Sequence, residues 1–441
     1  MVSDEDTPRE NVHVAGGDGP EKADLVLGFV PLTDCAVLAI AKEKGFFSSH
    51  GLNVSLSREP SWANIRDKVA IGALDGAQML AGIPIASTLG INTWKKPAVT
   101  AFSMGLNGNA VTVSNDLYRQ LEEVDPDSMN KIPHSAAPLK KLIERNSSQG
   151  RPKLTFAHVF PVSSHNYELR YWLASAGIDP DTDVRLIVIP PHQMPENIKA
   201  GTIDGFCVGE PWNEYTVKTG LGRTLITGYE IWNNAPEKVF GVNLEWAEKY
   251  PNTHIAVISA LLEAAEWIDK KENRMEVVEI ISREEYVNAP VDIVKMSMTG
   301  TFCYGMDELP VPLADFNVFN RYMANFPWRS HAEWFITQMY RWGQIDQAFD
   351  IKEVAAVIYQ TETFRQAARA TGHVYPHRDH KEEGIHSEPW KLQEATAPII
   401  MGADLFHDGL IFDPSDLIDY LRKFDVNHLK VDLDELARLN T

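Results

Sequence analysis

The sequence is poor in cysteine. Only Cys35, Cys207 and Cys303 occur in 441 residues, they are far apart, and none forms a C-x-x-C pair. Neither a disulfide framework nor a zinc knuckle is therefore expected. Cys207 falls within an apolar segment, which predicts a small, buried side chain.

Positive charge and long apolar runs are also scarce. There are 41 lysines and arginines against 61 acidic residues, a formal net charge of −20, and no local basic patch offsets it. Because such a field repels phosphates, direct binding to nucleic acid or to an anionic membrane surface is not expected. No run of eighteen apolar residues is present, so no transmembrane helix is predicted. An anionic ligand would need a local positive site.

The beginning of the sequence is polar and acidic, and residues 1–23 are predicted to be a disordered tail. This stretch lacks the basic and apolar regions of a signal peptide and any lipid-attachment site. If the N-terminus is native, a cytoplasmic location is expected.

Two successive strand–helix units lie between residues 154 and 212. Ser163 or Ser164 is suited to cap the first helix, and Gly177 to end it. This spacing predicts a parallel sheet with both strand-to-helix loops at one edge, so that two helix N-termini face one crevice and offer N–H groups to a small anion. The predicted elements are strand Leu154–Val159, the first helix, strand Val184–Ile189, helix Met194–Ala200 and strand Ile203–Val208.

A similar β-α-β-α-β pattern occupies the first eighty residues, which indicates two α/β lobes. Strands at Ala98–Ser103 and Ala110–Val113 are predicted to lead from one lobe to the other, and Phe240–Asn243 to return. From Leu244 to about Ala370 the chain is predicted to be nearly all helix. The remainder is predicted to be loop-rich and to end in two short helices.

Several segments resemble the nitrate- and bicarbonate-binding proteins of ABC importers, over nearly all of residues 24–420. The resemblance implies an α/β, two-lobe type II periplasmic-binding-protein fold with a long helical C-terminal part. Lobe I would comprise residues 24–112 and 244–441, and lobe II residues 113–243. The segments are PLTDCAVLAIAKEKGFF, PSWANIRDKVAIGALDGAQML, HNYELRYWLASAGIDPDTDVRLIVIPPHQM, GTIDGFCVGEPWN and HAEWFITQMYRWGQ.

The resemblance also implies a set of ligand-binding residues in the cleft between the lobes. Trp62 matches a tryptophan that packs on the planar anion, and His165 matches a histidine at a helix start. Pro191 and Val208 match positions in the wall of the site. Asn109 stands where the family has glutamine and is one methylene shorter, so either a water bridges the gap or the site suits a slightly different ligand.

Lys238 matches the position at which nitrate binders carry lysine and bicarbonate binders carry glutamate. Nitrate has hydrogen-bond acceptors only, so it needs donors and a positive charge. Bicarbonate has a proton to donate and can lie beside a metal ion, so a carboxylate suits it. The lysine therefore favours nitrate or nitrite.

Three functions follow from the resemblance. The first is a cytoplasmic nitrate or nitrite sensor of the NasS type, which holds an RNA-binding antitermination regulator and releases it when the anion binds. The second is the solute-binding component of a nitrate ABC importer. The third is an enzyme like the thiamine-pyrimidine synthases, which the absence of their cysteine-rich motif disfavours. The sensor is the preferred hypothesis, without a cofactor or catalytic residues.

Two further groups of residues have open interpretations. Glu210, in GEPW, would either orient Lys238 or cap a helix. The other group has spacings that a metal could use, although a solvated, charged loop is the simpler interpretation: His373, His377, Asp379, His380 and His386.

Overall fold

The computed structural model describes residues 19–440. Residues 1–18 of the predicted tail therefore lie outside the described residues. The last part of the predicted tail is held by hydrogen bonds, because the Glu21 carboxylate accepts the backbone N–H groups of Asn252 and Thr253, at 2.9 and 2.7 Å. The backbone N–H of Lys22 donates to the Thr253 hydroxyl at 3.0 Å. These residues are therefore bound to the folded chain.

The described part of the chain alternates strands and helices as far as residue 243 and is mainly helical beyond it. The strands are β1 (Asp24–Phe29), β2 (Asn53–Arg58), β3 (Gly76–Leu80), β4 (Ala98–Asn107), β5 (Asn109–Ser114), β6 (Thr155–His158), β7 (Arg185–Val188), β8 (Gly205–Gly209), β9 (Gly222–Thr227), β10 (Pro236–Asn243), β11 (Thr301–Phe302), β12 (Val311–Pro312), β13 (Asn317–Val318), β14 (Trp390–Leu392) and β15 (Ile399–Met401).

The α-helices, in the same order, are α1 (Ala36–Glu43), α2 (Phe46–Ser49), α3 (Trp62–Ala70), α4 (Gly82–Leu89), α5 (Asn115–Val124), α6 (Pro126–Met129), α7 (Ala137–Ser148), α8 (Ser164–Ser175), α9 (Met194–Lys199), α10 (Trp212–Lys218), α11 (Gly228–Ile231), α12 (Leu244–Lys249), α13 (Pro251–Asp269), α14 (Arg274–Ile281), α15 (Val291–Met298), α16 (Arg329–Arg341), α17 (Ile351–Ile358), α18 (Thr361–Thr371), α19 (Leu417–Arg422) and α20 (Leu433–Leu439). Short 3₁₀ turns lie at Thr33–Cys35, Pro191–Gln193, Lys271–Asn273 and Arg321–Met323.

Two mixed sheets organise the fold. The first has the order β13-β4-β10-β3-β1-β2 and the second the order β7-β6-β8-β5-β9. In the first sheet β1 pairs with β2 and β3 in parallel, whereas β10 runs antiparallel to β3 and β4. Helices cover both sheets, so the α/β class predicted from the sequence is confirmed.

The strand–helix units predicted between residues 154 and 212 are confirmed. Strand β6 pairs with β7 and with β8 in parallel. Ser163 caps α8 by accepting the backbone N–H of Asn166 at 3.0 Å. Gly177 follows α8 with a φ of 72°, a left-handed conformation that glycine adopts without strain.

The chain passes between the sheets at two places. Strands β4 and β5 are separated by Gly108 alone, so the predicted six-residue connection is wrong: β4 continues to Asn107 because its end pairs with β10 and β13. The φ of Gly108 is 88°, and a Cβ at this position would overlap the Asn317 side chain. The chain returns between β9 and β10. Sheet membership thus changes at Gly108 and before Pro236, rather than at residues 112 and 243.

The prediction of nearly continuous helix from Leu244 to Ala370 is wrong over residues 299–328. Strands β11, β12 and β13 lie there instead. The segment contains two glycines, at positions 300 and 305, and three prolines, at positions 310, 312 and 327, and such residues interrupt helices. The loop-rich end with two short helices is confirmed by α19 and α20.

The C-terminal part packs against both lobes. On α16, Trp334 and Phe335 contact the ring of Tyr167 on α8, with centroids 6.5 and 5.9 Å apart. Helix α18 packs on α13 and β4, next to the first sheet. Residues after 329 therefore hold the two lobes together. No helix in the described part of the chain is long and apolar enough to cross a membrane.

Candidate functional site

Lys238 lies at the centre of a buried polar cluster between the two sheets. Its side chain is 1% exposed, and its ammonium group lies 2.9 Å from Oδ2 of Asp34 and also contacts the carboxylate of Glu237. The ammonium lies 5.4 Å from the centroid of the Trp62 ring. Burial opposes the charged form, but the carboxylates of Asp34 and Glu237 outweigh it and raise the pKa of Lys238. The ammonium therefore stays charged. These residues, with Asn109, Ser164 and His165, are called the Lys238 cluster below.

Asp34 is placed by the 3₁₀ turn that follows β1. The side-chain amide of Gln78, on β3, donates to Oδ1 of Asp34, while its Oε1 accepts the backbone N–H of Val30 at 2.8 Å. Gln78 thus links Asp34 by hydrogen bonds to Val30, the residue that follows β1. Burial raises the pKa of Asp34, and the nearby charge of Lys238 opposes that rise.

Glu237 collects most of the hydrogen-bond donors of the cluster. Its Oε2 accepts the hydroxyl of Ser164 and the side-chain amide of Asn109, the latter at 3.3 Å, and its Oε1 accepts Lys238. Burial alone would raise the pKa of the Glu237 carboxyl, but His165 and Lys238 hold it well below its usual range. Glu237 is therefore ionised, and it joins residues of both lobes.

His165 occupies the first turn of α8, where the positive end of the helix dipole favours a nearby anion. Its Nε2 lies 2.8 Å from Oε1 of Glu237. The direction does not suit a hydrogen bond, so neither ring nitrogen has a hydrogen-bond partner among the described residues. Burial lowers the pKa of His165 despite the neighbouring Glu237, so the ring is neutral at pH 7.

Trp62 is the first residue of α3, a helix capped by Ser61, which accepts the backbone N–H of Asn64 at 3.3 Å. Its side chain is 1% exposed. The indole N–H has no hydrogen-bond partner in residues 19–440. Since a buried donor is normally paired, this group is available to an acceptor that enters the site.

Glu168 lies one turn after Ser164 on α8 and borders the cluster. Its Oε2 is buried and has no partner among the described residues. Burial, with the charge of Glu237, raises the pKa of Glu168 to about 8, so the group is mainly protonated at pH 7.

A Cβ at Gly228, the first residue of α11, would lie 2.6 Å from Oδ1 of Asn109, so only glycine allows this close approach.

The lobes touch beside the cluster. The backbone N–H of Thr33, next to Asp34, donates to the carbonyl of Glu210 at 2.9 Å across the cleft. At the start of α4, a Cβ on Gly82 would overlap the carbonyl oxygen of Val162. The structure therefore has a closed cleft.

The predicted site residues divide into two groups. Trp62, His165 and Lys238 are brought together, with Asn109 joined to them through Glu237. Their role in binding a ligand stays a prediction.

Pro191 and Val208 are also buried, and Val208 belongs to the same hydrophobic core as Trp62. Their role in the wall of the site stays a prediction. The carbonyl of Val208 accepts the side-chain amide of Asn213 at 2.7 Å. Of the two roles considered for Glu210, orientation of Lys238 is wrong, because its Oε2 instead accepts the backbone N–H of Glu214, at 3.2 Å, at the start of α10.

Asp34, Ser164, Gln78 and Glu237 are members or supports of the cluster that the sequence did not reveal as such. The only local signal was position: Ser164 adjoins His165, and Glu237 adjoins Lys238. Neighbouring residues of a regular strand point to opposite faces, so the position of Glu237 next to Lys238 argued against a place for Glu237 in the same site.

The histidines considered as metal ligands are separated in the structure. His373 lies 3.2 Å from Glu266, His380 lies 2.9 Å from Glu333, and Asp379 pairs with Arg329 and Arg365. His386 accepts or donates at 2.6 Å to Asp404. Each side chain described by these contacts has its own partner, so the residues do not form one site.

Comparisons with known proteins assign the chain to a family. The NMT1-like family matches residues 18–282. The chain is 40% identical over 431 residues to the nitrate import ATP-binding protein NrtC of Synechocystis, covering 96% of the chain and 59% of that protein. It is 36% identical over 421 residues to the bicarbonate transport ATP-binding protein CmpC of Synechococcus elongatus, covering 95% and 57%. The chain thus spans less than two thirds of these two relatives.

The nitrate/nitrite binding protein NrtA of Synechocystis matches over most of its length. It is 32% identical over 427 residues, which cover 95% of this chain and 88% of NrtA. Superposition on the crystal structure of periplasmic NrtA from Synechocystis PCC 6803 gives a TM-score of 0.80, with 28% identity, and covers 93% of this chain and 100% of that one. The chain therefore belongs to the NMT1-like family and has the type II periplasmic-binding-protein fold of NrtA.

Proposed function

We propose that the chain binds nitrate or nitrite at the Lys238 cluster, as the solute-binding part of a nitrate ABC import system. The observation that carries the proposal is the buried, charged ammonium of Lys238 beside the indole N–H of Trp62, which has no hydrogen-bond partner among residues 19–440. An anion with acceptors only needs such donors and a positive charge. The start of α8 at His165 adds the favourable end of a helix dipole.

The relatives support an anion but do not choose between nitrate and bicarbonate. NrtC and NrtA are named for nitrate, CmpC is named for bicarbonate, and their identities to this chain overlap. The choice of nitrate or nitrite rests on Lys238, because a bicarbonate site would favour a carboxylate at that position.

The same relatives favour the importer hypothesis over the cytoplasmic sensor that the sequence suggested first. NrtC is named for nitrate import, CmpC for bicarbonate transport and NrtA for nitrate/nitrite binding, and none of the three is named as a sensor. The RNA-binding antitermination regulator and the cytoplasmic location stay predictions that no finding tests. None of these three relatives is named as an enzyme of the thiamine-pyrimidine-synthase type, the third hypothesis.

Isothermal titration of the purified chain with sodium nitrate, sodium nitrite and sodium bicarbonate tests the ligand. Nitrate or nitrite is expected to bind more tightly than bicarbonate. Lys238→Met keeps a side chain of similar length without the charge, and we expect its affinity for nitrate to fall at least about tenfold, the loss of a charged hydrogen bond. Bicarbonate binding more tightly than nitrate would contradict the assignment.

Lys381→Met is a matched control, because Lys381 is also buried and also contacts a carboxylate, that of Glu383, but lies outside the Lys238 cluster. Nitrate affinity should survive this change. A similar loss in both variants would show that the effect is a general weakening of the fold.

The choice between importer and sensor is tested by what the chain binds in its native cells. An importer component is expected to copurify with membrane subunits of a transporter. A soluble complex with an RNA-binding protein that dissociates on addition of nitrate would instead support the sensor.

A further inference from the structure

Glu237 already occupies the donors that an anion would use. Its two oxygens accept Ser164, Asn109 and Lys238, and Oε1 lies 2.8 Å from Nε2 of His165. All of these groups are buried. An anion that enters the Lys238 cluster must therefore share these donors with a carboxylate or displace it from them.

The charges of the cluster do not favour a second anion. The carboxylates of Asp34 and Glu237 face the single ammonium of Lys238. The other titratable groups around Glu237 are His165 and Glu168 on α8 and Cys207 on β8. Burial lowers the pKa of His165, raises that of Glu168 to about 8 and raises that of the Cys207 thiol well above its usual value, so all three are mainly neutral at pH 7.

With Asp34 and Glu237 both ionised, the cluster carries an excess negative charge before a ligand arrives. A further unit of negative charge without a compensating proton would place two anionic groups against each other in a site from which water is excluded, and such an arrangement is strongly unfavourable. A proton taken up with the ligand restores the original charge.

We propose that Glu237 makes anion binding at this site proton-coupled, so that one nitrate or nitrite enters together with one proton from solvent. This inference rests on the proposed function. The added proton is carried by either His165 or Glu237, whose Nε2 and Oε1 atoms lie 2.8 Å apart. The proton comes from water or buffer, and no bond of the ligand is broken.

In this scheme Glu237 is a positioning residue, which acts on the ligand through the donors that it holds. With the added proton on His165 or on Glu237, the cluster has either a second cation or a neutral carboxyl, and the hydroxyl of Ser164 and the amide of Asn109 can turn to the ligand. A planar anion beside the indole N–H of Trp62 can then accept hydrogen bonds from these donors. Binding is therefore expected to strengthen as the pH falls, because protons are a co-ligand.

Isothermal titration with sodium nitrate, in buffers of equal pH and different ionisation enthalpies, measures the number of protons taken up. For the wild-type chain we expect close to one proton per nitrate at pH 7 to 8, and an apparent affinity that falls about tenfold for each unit of rising pH in that range. Sodium chloride keeps the ionic strength constant.

Glu237→Gln keeps the size and most hydrogen bonds of the side chain but removes its charge. This variant is expected to take up almost no proton and to bind nitrate more tightly than the wild type at pH 8. The matched control is Glu383→Gln, because Glu383 also accepts a buried lysine, Lys381, and a histidine, His331 at 3.1 Å, but lies outside the cluster. Its proton count should equal that of the wild type.

Nitrate binding by the wild-type chain without proton uptake, and with a pH-independent affinity, would overturn the inference and leave the proposed function intact. The inference also fails if Glu237→Gln takes up the full proton. If neither the wild type nor any variant binds nitrate or nitrite between pH 5 and 9, the proposed function itself fails. Should Glu237→Gln not fold, the wild-type proton count decides alone.

Discussion

Glu237 and Lys238 are consecutive residues of β10, yet both side chains enter the same buried cluster. In β10 Pro236 pairs with Leu106 and Lys238 with Gly105, so Glu237 is an extra residue opposite one step of β4. This β-bulge breaks the alternation of faces that a regular strand imposes. A carboxylate and an ammonium thereby reach one point in the cleft.

Trp62→Phe tests the indole N–H as a donor to the ligand. Phenylalanine keeps most of the apolar ring but lacks the N–H, which has no partner in the described structure. We expect nitrate affinity, measured by titration calorimetry, to fall about tenfold while the melting temperature changes little, because no hydrogen bond of the free protein is lost.

The control is Trp172→Phe, since the indole of Trp172 donates to the carbonyl of His134 at 3.1 Å. That variant is expected to lose about 1–3 kcal/mol of stability and to keep its nitrate affinity. The reverse pattern would mean that Trp62 serves only packing.

Gly82→Ala tests whether the closed cleft is the binding form. The added Cβ would overlap the carbonyl oxygen of Val162 on the other lobe, so the lobes must separate or the backbone must move. We expect weaker nitrate binding and a larger radius of gyration by small-angle scattering.

Gly19→Ala provides a comparison, because a Cβ at Gly19 meets nothing within 4 Å. Scattering curves and nitrate affinities of Gly82→Ala that match those of the wild type would show that closure at this contact is not required.

Nitrate is expected to stabilise the folded chain increasingly as its concentration rises. A ligand that binds only the folded state at 100 times its dissociation constant adds about 2.7 kcal/mol, so the melting temperature should rise steadily with nitrate concentration. Scanning calorimetry with sodium chloride at the same ionic strength separates binding from salt. An equal rise in chloride would contradict specific binding.

Glu214→Gln tests a buried carboxyl outside the Lys238 cluster. Glu214 accepts the backbone N–H of Cys303 at 3.0 Å, and burial raises the pKa of Glu214 to about 8. Because the folded-state pKa lies above the unfolded value of about 4.3, the stability contributed by this group is present below pH 4.3 and is lost as the pH rises toward 8.

The melting temperature of Glu214→Gln, relative to the wild type, should therefore increase from pH 5 to pH 8. Glu144→Gln, at a position 65% exposed on α7, provides the surface control and should show no such trend. A constant difference for Glu214→Gln over this range would argue that the carboxyl stays ionised in the folded protein.

The sequence by itself determined the elements whose signals are local. The strand–helix units between residues 154 and 212, the cap at Ser163 and the glycine at 177 follow from short-range periodicity and hydrogen bonding, and the structure has them. The resemblance added Lys238, Trp62 and His165, which lie together in the cleft. These features depend on residue types within a few positions of one another.

The tertiary structure alone decided what surrounds Lys238. Asp34, Ser164 and Glu237 come from three separate parts of the chain, and the charges of the two carboxylates matter because the packed lobes exclude water from them. The bulge in β10 and the one-residue crossing at Gly108 arise from pairing with distant strands. Burial and long-range strand pairing are properties of the assembled fold, so no local pattern specifies them.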